Sequence, residues 1–173
     1  MDNNLSSNAL TSSQIFNILA LRYDASQTSN LAKLKWSDFT SSENKPSLEL
    51  IELLIKKSIQ KNLSQNSGKI NIALSGGIDS TLVLAITKKY FPDVEIDAFS
   101  IQFSNSIDET EQAQKIADHF DVNFNKIFIE NYLHELPKAI SIVKSPFWDL
   151  HWYYVCKQVQ KSSGSILSGD GGD

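Results

Sequence analysis

The chain is poor in several things, and each shortage removes a class of function. Among 173 residues there is one cysteine, Cys156, so no internal disulfide can form, which fits a reducing compartment. There is no excess of positive charge. Lys and Arg number 16 against 20 Asp and Glu, a formal charge of −4, which offers no basic field for a phosphate backbone and argues against tRNA or other nucleic acid as a partner. No apolar run approaches the roughly 18 residues of a membrane span. Residues 1–8 lack the charged-then-apolar order of a signal peptide. His134 and His151 have no Cys, Asp or Glu at metal-ligand spacing, which speaks against a zinc site. A cytoplasmic, soluble chain is expected. Its 41% hydrophobic and 21% charged residues are those of a globular domain.

The chain falls into two unequal parts. Residues 1–46 read as a lead-in. Its first 14 residues, rich in Ser, Asn and Thr, are expected to lack order, Ile15, Phe16, Ile18, Leu19 and Leu21 have helical spacing, and residues 40–46 read as a linker. Trp36 and Phe39 are candidates to pin this part to the main domain, residues 47–173. There the pattern alternates. Ser47 caps a helix with Leu50, Ile51, Leu54, Ile55, Ile59 and Leu63 on one face, and Ser67-Gly68 stops it. Strands are expected at 70–74, 94–103, 122–129 and 165–168. Helices are expected at 79–90 (Leu82, Val83 and Ile86 inward), 108–120, 133–143 and 150–159. Strands alternating with helices predict an α/β fold, a parallel twisted sheet with helices on both faces.

The most informative residues are Ser75-Gly76-Gly77-Ile78-Asp79-Ser80, between a strand and a helix. Two glycines let the backbone bend and approach an anion. The helix start offers unpaired N–H groups, and the two serines offer hydroxyls. No Gly-Lys-Ser/Thr follows, so this is not the loop of kinases and GTPases. A carboxylate at Asp79 beside a polyphosphate works through Mg²⁺, a hard cation that takes oxygen ligands; the bland alternative makes Asp79 a helix cap and the glycines a turn. Gly169-Asp170-Gly171-Gly172-Asp173 suits either a second phosphate or metal segment or a surface turn.

Ser75 to Ser80 resembles the Ser-Gly-Gly-x-Asp-Ser signature of the PP-loop ATP pyrophosphatases, whose fold is of the adenine nucleotide alpha hydrolase type. Leu167 to Asp173 resembles the second signature of asparagine synthetases, Leu-Ser-Gly-(Glu/Asp)-Gly-x-Asp-Glu. Phe99 to Phe103, then Asp108-Glu109, Glu111, Ala113 and Ala117, are similar to the strand and helix between these motifs, with Gln102 where Gly is usual. Pro146, Asp149 and Tyr154 also fall near the family's spacing.

The resemblance implies ATP and Mg²⁺ as cofactors. Ser75, Gly76, Gly77, Asp79 and Ser80 would hold the pyrophosphate. Leu74, Ser100, Ile101 and Gly169 would line the adenosine pocket, with Ser168 near the AMP. Asp79 and Asp173 would bind the metal, and Asp170, where Glu is common, would serve the amino-acid side of the reaction. The implied reaction adenylates the aspartate side-chain carboxylate, releases pyrophosphate, and lets ammonia displace AMP. Asp2 follows Met1 where glutamine-dependent members carry cysteine, so ammonia is expected free or from a separate glutaminase chain. The family continues past its second signature, so the fold is expected to be incomplete at the C-terminus and turnover by residues 1–173 weak or absent. Relatives that close β-lactam or peptide rings leave the acceptor open, and a non-catalytic nucleotide-binding fragment is the non-enzyme alternative.

His119 reads as a helix-end residue, Cys156 as core, and Phe147, Trp148, Trp152, Tyr153 and Tyr154 as core packing or a pocket lining.

Overall fold

A computed structural model describes residues 11–21, 35–38, 47–63, 68–143, 150–161 and 165–170. Four strands form one parallel sheet: β1 (Lys69–Ala73), β2 (Glu95–Phe103), β3 (Asn123–Ile129) and β4 (Ile166–Leu167), in the order β3-β2-β1-β4. Among the described residues six helices accompany it: α1 (Ser12–Leu21), α2 (Leu48–Leu63), α3 (Ile78–Tyr90), α4 (Thr110–His119), α5 (Leu136–Val143) and α6 (Leu150–Val159). The α/β expectation holds. The expected helix at 133–143 is a 3-10 turn over Tyr132–Glu135 that runs into α5. Residues 12–14, expected to lack order, open α1. Phe39, the linker 40–46, Pro146, Phe147, Trp148, Asp149 and Asp173 lie outside the described residues.

Alternation along the strands divides the interior into two layers. Ile70 and Ile72 of β1, with Ile96 and Ala98 of β2, face a core that includes Ile59 of α2, Leu84 and Ile86 of α3, and Ala113 and Ala117 of α4. The two alanines stand one turn apart and fully buried, so α4 approaches the sheet closely. On the other face Phe99 and Ile127 meet Val155 and Val159 of α6, while Ile101, Phe103 and Ile129 pack around Ala139 of α5 and Tyr154 of α6. Helices therefore cover both faces.

Three apolar expectations fail. Leu50, Ile51 and Leu54 are exposed, because only the second half of α2, from Ile55 onward, packs against the core; Ser47 Oγ does accept from Leu50 N (3.2 Å) as a cap. Leu82 is exposed and Leu84 is buried in its place. Cys156 is exposed rather than core: it follows Val155, and one step of about 100° turns it off the buried stripe. His119 does end α4, with its ring edge-on to Phe120.

Strand order positions the site. From β1 the chain moves outward to β2 and β3, then returns across the sheet to β4 on β1's other side. Open parallel sheets bind ligands at the carboxyl ends of strands where the order reverses. The segments after β1 and β4 meet there.

Candidate active site

The loop after β1 folds around its own serines. Ser80 Oγ accepts from Ser75 N (3.2 Å), donates to Gly77 O (3.2 Å) and lies 3.1 Å from Ser75 Oγ, which in turn accepts from Gly77 N (3.2 Å). Gly76 takes φ +84°, and a Cβ there would meet Ala113 N and Gln112 at 3.3 Å, so the loop both turns left-handed and rests on the start of α4. Gly77 is extended (φ −78°), and a Cβ there would meet only Ser75 Oγ.

Gly77 is also the N-cap of α3, with no side-chain capping bond, while Thr81 N reaches Gly77 O at 3.2 Å. The N–H groups of Ile78, Asp79 and Ser80 belong to the unpaired first turn and find no acceptor in the described fold. Asp79 does not cap the helix. Its side chain is exposed, with no hydrogen bond or ion pair among the described residues. Of the bland reading, the cap on Asp79 is absent, while the glycines do form a turn.

The segment after β4 lies against this turn. A Cβ on Gly169 would fall 2.7 Å from both the carbonyl carbon of Asp79 and Ser80 N. Ser168 Oγ accepts from Asp170 N (3.3 Å), turning the chain so that Asp170 is exposed.

The two segments share one cleft of about 700 Å³. Leu74, Ser75, Gly77, Asp79, Ser80, Ser100, Ile101, Ser168, Gly169 and Asp170 all line it, and Gly76 supports the loop from behind. Asp173 lies outside the described residues. The size is that of pockets enclosing a small ligand. One wall is polar, made by the two loops. The apolar part of the lining comes from Phe99, Ile101, Phe103, Trp152 and Val155.

Several lining residues escaped the sequence reading: Phe103, Ser106, Ile107, Glu109 and His151. Trp152 belongs to the aromatic run for which a pocket lining competed with core packing, and it does both, lying also against the Phe99 cluster. The residues from Ser106 to Glu109 form the rim between β2 and α4. That rim is fixed by Ser104 Oγ donating to Glu130 O (2.6 Å) and by Asp108, whose carboxylate accepts from Thr110 N (2.9 Å) and pairs with Lys126 (2.9 Å). The Thr110 hydroxyl and Lys126 hold the Asp108 carboxyl down to about 2.

Among the described residues, no group of three or more His, Cys, Asp and Glu side chains could hold a metal ion. A free carboxylate at Asp79, opening on a cleft, nevertheless suits Mg²⁺, which keeps several waters and needs only one or two protein carboxylates when phosphate oxygens complete its shell. No helix among the described residues is long and apolar enough to cross a membrane.

The Asparagine synthase family profile matches residues 50–173. The asparagine synthetase [glutamine-hydrolyzing] 1 of Bacillus subtilis is 32% identical over 106 residues, 58% of this chain and 16% of that protein. An NH(3)-dependent NAD(+) synthetase of Carboxydothermus hydrogenoformans is 34% identical over 76 residues, 44% of this chain and 31% of that protein. The chain thus spans less than a third of the length of either relative. Among solved structures, the NH3-dependent NAD synthetase of Campylobacter jejuni, in complex with the nitrate ion, overlaps 65% of this chain and 49% of its own at 20% identity and a TM-score of 0.45. With the matched profile running from α2 through both cleft-forming segments, the chain belongs to the asparagine synthase family.

Proposed function

We propose that the chain forms the ATP-binding part of an AMP-forming amide ligase, which activates a carboxylate by adenylation and passes it to ammonia. The observation that carries this reading is the seating of Gly169 on the Asp79–Ser80 peptide, which makes one cleft of two distant motifs.

In this reading the N–H groups of Ile78, Asp79 and Ser80 and the Ser75 hydroxyl receive the β- and γ-phosphate oxygens, fixed before ligand arrives and aimed where charge develops. Leu74, Ser100, Ile101 and Gly169 line the adenosine, Ser168 lies near the AMP, and Asp170 serves the acceptor. Asp79, with Asp173, would hold Mg²⁺, which neutralises phosphate charge when bound. A carboxylate oxygen of the acceptor, the aspartate side chain by family resemblance, attacks the α-phosphorus. The α–β bridging bond breaks and pyrophosphate leaves. Ammonia, free or released by a glutaminase, then attacks the acyl carbon and AMP departs with the C–O electron pair.

Incubation of the full-length product with ATP, aspartate and ammonium, measuring AMP, pyrophosphate and asparagine in equal amounts, tests the scheme. Asp79→Asn should remove the turnover. Mg-ATP binding without pyrophosphate release, in the full-length product, would favour a nucleotide-binding module instead. Two observations favour a second acceptor: Asp170 stands where Glu is common, and one relative is named an NAD(+) synthetase. Pyrophosphate release with another carboxylate, such as a precursor of β-lactam or peptide ring closure, and not with aspartate would select it.

A further inference from the structure

The charge of the cleft wall is unbalanced. Among the described lining residues there are three carboxylates, Asp79, Glu109 and Asp170, and no Lys or Arg; the one basic side chain is His151. A ligand bearing phosphates or carboxylates would add negative charge to that wall. Cations in the medium can offset part of it, yet only one side chain of the described wall can supply a positive charge of its own.

His151 is placed for the task. It stands in α6 and lines the cleft, half-buried, with its ring tilted at 42° and 5.4 Å from the ring of Trp152. Trp152 is itself packed into the apolar cluster of Phe99, Ile127 and Val155, so the pair has a fixed base. Among the described residues no hydrogen bond or ion pair ties the imidazole. The charged groups further along α6 are committed elsewhere: Lys157 and Tyr153 both bind Glu135.

We propose that His151, as an imidazolium, holds a negatively charged ligand oxygen in this cleft, on a phosphate or on a carboxylate. This goes beyond the ligase reading and rests on it, since that reading supplies the anions. A histidine used in this way makes affinity depend on pH near neutrality: an anion that prefers the charged ring binds more tightly at low pH and raises the ring's titration midpoint. Asp79, Glu109 and Asp170 face the same cleft.

The chain carries three histidines, so the imidazole signals of the full chain can be followed by NMR and His151 assigned with His151→Gln. Titrations are run alone and with AMP, inorganic pyrophosphate or aspartate. The expected result is a rise in the His151 midpoint of about one unit with one of these anions, equivalent to about tenfold tighter binding by the protonated ring; the anion that does it identifies the source of the oxygen. His151→Gln should weaken that anion about tenfold at pH 6 and leave binding at pH 8.5 within about twofold, while His151→Lys should keep the affinity and lose the pH dependence. Unchanged His151 titration with every anion, in a chain that still binds Mg-ATP, overturns the proposal and leaves the ligase reading standing. Binding of none of these ligands overturns both.

Discussion

Gly169 is seated on Asp79 so closely that a single added carbon would stand 2.7 Å from the Asp79 carbonyl carbon and 2.8 Å from its Cβ. Two of the three nearest atoms are backbone, and cannot swing aside as the end of a long side chain could. Gly169→Ala must therefore push the segment after β4 away from α3. We expect a loss of about 1–3 kcal/mol by chemical denaturation, the usual cost of overpacking, together with at least tenfold weaker Mg-ATP binding by calorimetry. Wild-type affinity in Gly169→Ala would mean that the two segments do not act on one ligand.

The two loop serines should separate experimentally. Ser80 spends its hydroxyl inside the loop, accepting from Ser75 N and donating to Gly77 O, and it is buried. Ser80→Ala leaves both backbone groups without that partner, at a cost of about 1–3 kcal/mol, and distorts the loop. Ser75 is exposed, and its proton can turn from Ser80 Oγ toward the cleft. Ser75→Ala should weaken pyrophosphate or ATP binding with a smaller loss of stability. Thermal melts and calorimetry on the two variants decide it; equal stability losses with equal affinity losses would sink the distinction.

That difference marks where the sequence stopped being legible. Ser-Gly-Gly-x-Asp-Ser told that a bend, a helix start and hydroxyls come together, because only those residue types permit that bend; it could not tell which hydroxyl faces the ligand and which holds the loop. Likewise the 3.6-residue period of α2 named an apolar face, but not how far along the helix a partner reaches, so Leu50 and Ile51 were assigned to a core that begins near Ile55. The spacing between motifs was readable as strand and helix. The part of the lining made by His151 and Glu109 was not, because they reach the cleft from elements whose packing no local pattern encodes.

The rim at Asp108 gives a pH-dependent signature. Its carboxyl is held down to about 2 in the folded chain, against an ordinary 3.8, by the Thr110 hydroxyl and Lys126. A depressed folded value contributes stability that is fully present above the unfolded value and lost as pH falls through the folded one. Part of the acid sensitivity between about pH 4 and pH 2 should therefore vanish in Asp108→Asn. Lys126→Met should raise the carboxyl's midpoint, readable by carboxylate NMR. A midpoint unmoved by Lys126→Met would show that the pair contributes nothing.

The site's most economical weak point lies below it. β4 has only two residues, Ile166 and Leu167, paired with Asn71 and Ile72 of β1 respectively, so ladder bonds alone hold it poorly. Side chains supply the rest: fully buried Asn71 donates from Nδ2 to Ser165 O (2.8 Å), and Ser165 Oγ bonds Asn62 Oδ1 of α2 (3.3 Å). Asn71 touches no part of the cleft, yet it fixes the start of the strand that delivers Ser168, Gly169 and Asp170. Asn71→Ala should cost about 1–3 kcal/mol for the lost buried hydrogen bond and should also weaken Mg-ATP binding several-fold. Asn123→Ala is the control: that residue donates to Asp97 (3.1 Å) in the same row of the sheet, three strands from β4 and on the far side of β1. Its removal should lower stability modestly and leave affinity intact. Equal affinity losses in the two variants would mean that general loosening of the sheet, rather than the anchoring of β4, sets the shape of the cleft.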